Sequence, residues 1–167
     1  MEDSFFSYLQ RLELLAFFSG YPLLYAIVVF IAGKEQSKTT IKGRIVSMLP
    51  YGYALVGTLY LGLQLKNLYP DYSFENIKLA MQLPFLIIWG ILSILFWMPA
   101  LSKKSVLSLL HSLVFFFILA GDLFTHSTDK SVIRNDMNIY SNSLLINLAT
   151  FGFLVLISNL VVSHRKQ

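Results

Sequence analysis

The chain has no cysteine, only three histidines among its 167 residues, and charged side chains at just 13 % of positions. Without cysteine there is no disulfide, no thiolate nucleophile, and no Cys-ligated zinc or iron–sulfur cluster. The redox compartment therefore leaves no mark on the sequence. His111, His126 and His164 lack the His-Glu-x-x-His spacing that brings two imidazoles to one zinc ion. Haem ligation needs opposed, buried histidines, and the one partner for His111 on another helix is His164, beside Arg165 and Lys166. No metal and no cofactor is expected. Carboxylates are also sparse. An intramembrane aspartyl hydrolase needs a second buried acid near Asp122, and only Asp129 and Asp136 of the following segment are in reach. The first residues include Glu2 and Asp3 and carry no basic segment or small-residue cleavage site, so the first apolar run is expected to stay as an anchor.

What the chain has in excess is apolar length. Hydrophobic residues make up 56 % of it, and its mean hydropathy is +0.64. Apolar runs cover Leu14 to Gly33, Ile45 to Leu65, Leu79 to Leu101, Val106 to Thr125 and Ser143 to Val162. Each is near the roughly 20 residues that a helix needs to span about 30 Å of hydrocarbon. The pattern predicts an all-α, polytopic membrane bundle of five transmembrane helices, with an N-terminal interfacial segment at 1–13, the membrane domain at 14–162 and a basic cytoplasmic tail at 163–167. No connection is long enough for a soluble domain. The longest, Ser127 to Asn142, reads as an outer loop or a handle for a partner.

Loop charge gives an orientation. Lys34, Lys38, Lys42, Arg44, Lys103, Lys104, Arg165 and Lys166 fall on one side; Arg11, Lys66, Lys78, Lys130 and Arg134 fall on the other, with most of the acids. The positive-inside rule then puts the N-terminus outside and the C-terminus in the cytoplasm, as in a bacterial-type plasma membrane. The net charge of +4 resides at span ends and not in a stripe with interleaved aromatics, so no nucleic-acid partner is expected.

Punctuation and polarity mark the interior. Ser19-Gly20-Tyr21-Pro22, Pro50 with Gly52, and Pro84 interrupt the first three runs and predict kinks. Phe5, Phe6, Leu9 and Leu12 share a helical face, which suits an interfacial helix or an extension of the first span. Asp122 is the strongest single pointer, because an ionised side chain at mid-bilayer costs up to about 3 kcal/mol and less near the edge. Asn147, Gln82 and Gln64 belong at a similar depth, which predicts a polar cluster open to the outside. His126 follows Asp122 by one helical turn, and His111 returns to nearly the same azimuth. Polar-marked stripes on the second span (Pro50, Tyr53, Gly57, Tyr60, Gln64), the fourth (Ser108, His111, Phe115, Asp122) and the fifth (Asn147, Thr150, Leu154, Ser158) are expected to face one another.

Two roles fit such groups: interhelical hydrogen bonds that assemble the bundle, or a site for a proton, cation or ligand built from Asp122, Asn147, His126, Gln82, Gln64, His111 and Tyr60. The functional readings are therefore three: a small integral subunit or accessory component that packs against a membrane-protein partner or a second copy of itself; a small transporter or channel that binds a proton or cation at Asp122; and a membrane-embedded enzyme that uses Asp122 and His126 on a lipid. The absence of a catalytic constellation favours the first.

Overall fold

Three interruptions of the helices lie where proline dictates. A proline inside a helix removes one N–H and its ring excludes the carbonyl of the residue four positions earlier. Pro22 thus ends α1 (Glu2–Phe18) and opens α2 (Tyr21–Ala32), with Ser19 and Gly20 between them. Pro50 divides α3 (Ile41–Ser47) from α4 (Leu49–Leu68), and Pro84 divides α5 (Phe74–Ala80) from α6 (Pro84–Leu92). A 3₁₀ helix, Ser93–Trp97, then leads to Pro99 and the single turn of α7 (Pro99–Ser102), followed by α8 (Ser105–Thr125) and α9 (Lys130–His164). This computed structural model describes residues 2–32, 41–125, 128 and 130–164, all in helices or their short connections.

Ser7–Ala32, Lys42–Leu68, Ser105–Thr125 and Lys130–Val161 are long and apolar enough to cross a membrane. The third predicted span departs from expectation. Instead of one helix from Leu79 to Leu101, the apolar stretch Pro84–Trp97 is shorter and bounded by breaks at both ends. Nine α-helical and five 3₁₀ residues rise about 24 Å. The segment is tied to other helices on both sides: Gln82 before it bonds to Ser7 and Gln10, and Ser102 beyond its end bonds to Tyr51.

The second correction concerns Ser127 to Asn142, expected as a loop or handle. From Lys130 onward this stretch is helix, continuous with the last apolar run, and α9 reaches 35 residues, about 52 Å. Asp136, Ile139, Ser143, Asn147 and Thr150 lie buried along one side of it, at the three- and four-residue spacing of a helix face.

Interhelical bonds define the two ends of the bundle. At one end α1 meets α8 through Arg11 and Asp122, and α4 through Glu13 and Gln64. At the other, Arg44 of α3 donates to the Ser158 carbonyl of α9 at 2.7 Å, and the Tyr25 hydroxyl of α2 lies 3.3 Å from Ser105 Oγ of α8. Between them is an aromatic core. Phe18, Tyr21, Tyr53, Tyr60 and Phe115 are buried, with Tyr21 and Tyr53 rings 4.4 Å apart and Phe18 stacked on Phe115 at 4.8 Å. Gly20 lets the α1–α2 break rest directly on α9, since a Cβ there would fall 2.4 Å from the Leu144 backbone nitrogen.

Candidate functional site

The polar residues singled out from the sequence do not form one cluster. They are distributed along the bundle, and those at the Arg11 end share a partner helix, α1.

Asp122 accepts from Arg11 Nη2 at 2.6 Å, an ion pair in which the carboxylate side chain is 26 % exposed and the guanidinium side chain 38 %. The positive charge cancels the negative one at the edge of the apolar region, which removes most of the cost of placing either there. Gln82 accepts from Ser7 Oγ at 2.7 Å. Gln64, on α4, donates to Glu13 Oε2 at 3.4 Å. Asn147, on α9, donates to the Phe17 carbonyl at 2.8 Å and to Ser143 of its own helix at 2.8 Å.

Two of these arrangements give partners to backbone groups at the proline breaks. At the α1–α2 break, the Gly20 N–H donates to Ser143 Oγ at 2.8 Å, while Asn147 caps the Phe17 carbonyl. Ser143 and Asn147, one turn apart on α9, thus supply an acceptor and a donor to the two sides of the break. At the α5–α6 break the group excluded by Pro84 is the Ala80 carbonyl, and the Gln10 side-chain amide donates to it. The same amide accepts from the Gln82 N–H at 3.1 Å. A glutamine amide has the donor and acceptor of a peptide unit, so one side chain restores both contacts. Water is absent from hydrocarbon, and such internal partners are what allow irregular backbone at membrane depth.

His111 belongs to the aromatic core and not to Asp122. Its Nδ1 lies 2.7 Å from the Tyr53 hydroxyl, and its ring stacks on Trp89 at 4.6 Å. Trp89 in turn donates Nε1–H to the His111 carbonyl at 3.2 Å. The Tyr53–His111 bond joins the stripes of the second and fourth spans, and Tyr21 bonds to Ser108 at 2.7 Å beside it. His111 Nε2 and the Tyr60 hydroxyl are buried without a protein partner. His126 and Asp129 lie outside the described residues, so the predicted Asp122–His126 pair has no geometry to report. Among the described residues no group of three or more His, Asp or Glu side chains converges as a metal site.

A shallow recess of about 270 Å³, lined by Ser7, Tyr8, Arg11 and Leu83, adjoins the Arg11 side of the ion pair. Asp122, Asn147, Gln82 and Gln64 do not line it. Sequence reasoning missed Gln10, Arg11, Glu13 and Ser143. The available signal was spacing: Ser7, Gln10, Arg11, Leu14 and Phe18 follow helical periodicity straight into the first apolar run, which makes the first 13 residues part of the bundle's packing. The chain matches no protein-family model, no curated protein and no solved structure.

Proposed function

We propose that the chain is a non-catalytic integral component of a larger membrane assembly, crossing the bilayer five times, with its N-terminus outside and its C-terminus in the cytoplasm. The observation that carries this reading is that Asp122, Asn147, Gln82 and Gln64 all bond to α1. Asp122 is neutralised by Arg11, Asn147 and Gln10 repair proline breaks, and Gln82 and Gln64 are bonded to α1. A transported cation would have to displace Arg11 from Asp122, and an acid–base role for Asp122 would have to break the same contact. The five crossings rest on the path of the chain, since the segment from Gln82 to Ser102 connects the two ends despite its interruptions. The sidedness rests on the loop charges.

The partner is another membrane protein or a second copy of this chain. Large apolar side chains of α8 and α9, including Phe117, Phe124, Phe153, Leu156 and Leu160, face outward, and the chain holds almost no mass outside the helices. Native membranes that carry a tagged chain, solubilised in mild detergent, should yield a particle well above 19.0 kDa of protein, with its components in fixed stoichiometry. A single 19.0 kDa species that conducts protons or cations in liposomes, and stops on Asp122→Asn, would overturn the reading in favour of transport.

A further inference from the structure

A cavity lies at the opposite end from Asp122. It encloses about 580 Å³ where α3, α4, α7 and α8 meet, and Ser47, Tyr51, Ser102, Lys103, Lys104 and Ser105 supply its polar lining. Its charge is of one sign. No Asp or Glu is among its lining residues, and among the described residues neither lysine is in an ion pair. Its hydrogen-bonding character is equally one-sided. Ser102 Oγ donates to the Tyr51 hydroxyl at 2.9 Å, which leaves the Tyr51 proton unspent. Two lysines and a tyrosine with a free phenolic proton therefore line a volume of small-ligand size.

We infer that this cavity binds the phosphate of an anionic lipid headgroup. The ligand must be an acceptor with negative charge. At the level where the apolar run of α8 begins, at Val106, the abundant group of that kind in a bilayer is the lipid phosphate. The inference uses the membrane placement of the bundle and not its role as a subunit, so the two can fail separately.

The test is thermal melting of the full purified chain in neutral detergent, titrated with short-chain phosphatidylglycerol, short-chain phosphatidylcholine or inorganic phosphate. Phosphatidylglycerol should raise the melting temperature saturably and phosphatidylcholine should not. Replacing both lysines (Lys103→Gln with Lys104→Gln) should weaken the phosphatidylglycerol midpoint by on the order of tenfold. Lys42→Gln, an exposed lysine of α3 that does not line the cavity, should leave it unchanged. If the double variant folds poorly, Tyr51→Phe removes only the hydroxyl and should shift the midpoint severalfold. Three results contradict the proposal: equal stabilisation by the two lipids, equal weakening by Lys42→Gln (diffuse surface charge), or inorganic phosphate matching phosphatidylglycerol (a soluble anion in place of a headgroup).

Discussion

Asn147 is held at 1 % exposure with its amide donating to a carbonyl of another helix, so replacing it leaves that acceptor without a partner. Leaving a buried acceptor unsatisfied costs about 1–3 kcal/mol. Asn147→Leu should therefore lower the melting temperature in detergent clearly. Thr150→Val should matter less, because the Thr150 hydroxyl bonds only to carbonyls of its own helix. Gly20→Ala gives a second contrast. Its Cβ would meet backbone, which cannot swing aside, whereas a Cβ at Gly152 would meet nothing within 4 Å. Overpacking of this kind costs about 1–3 kcal/mol, and an unhindered Gly→Ala change in a helix gains up to about 1 kcal/mol. The two alanine variants should shift stability in opposite directions when melted side by side.

At the scale of elements, the sequence made the apolar helices and their prolines legible, because both are local properties. Runs of about 20 apolar residues read directly as spans, and the i−4 exclusion explains the breaks at Pro22, Pro50 and Pro84. Two elements were not legible. The helix through 130–142 is polar in composition, and its buried side, Asp136 and Ile139 followed by Ser143, becomes informative only with the helices it packs against. The group that caps the break at Pro84, Gln10, is 70 residues away from the carbonyl it bonds. The partners of the candidate residues were hidden for the same reason: Asp122, Asn147, Gln82 and Gln64 are recognisable as polar residues at membrane depth, but the α1 groups they bond, in Arg11, Phe17, Ser7 and Glu13, are set only by the fold. Two measurements belong here. Spin labels walked through 130–142 should show mobility with helical periodicity, and a uniform high mobility would contradict the continuous α9. Gln10→Leu should raise hydrogen exchange selectively at residues 80–84, and exchange unchanged there would contradict the repair of the α5–α6 break.

For the whole molecule, the contacts describe a bundle organised around its first helix. α1 bonds to α8 through Arg11, to the α5–α6 connection through Ser7 and Gln10, to α4 through Glu13, and to α9 through the Phe17 carbonyl. A helix tied to so many neighbours couples them, so the bundle should unfold as one unit and the polar residues should act on stability. That is the central claim: the intramembrane charge and amides of this protein join helices to one another. The most direct test is a double-mutant cycle on Arg11→Gln and Asp122→Asn, read by melting in detergent. Both groups are partly exposed, so the account predicts a coupling of about 1 kcal/mol, with the double variant losing less stability than the two single losses combined. Strict additivity would mean that the ion pair does not join α1 to α8, and would contradict the account.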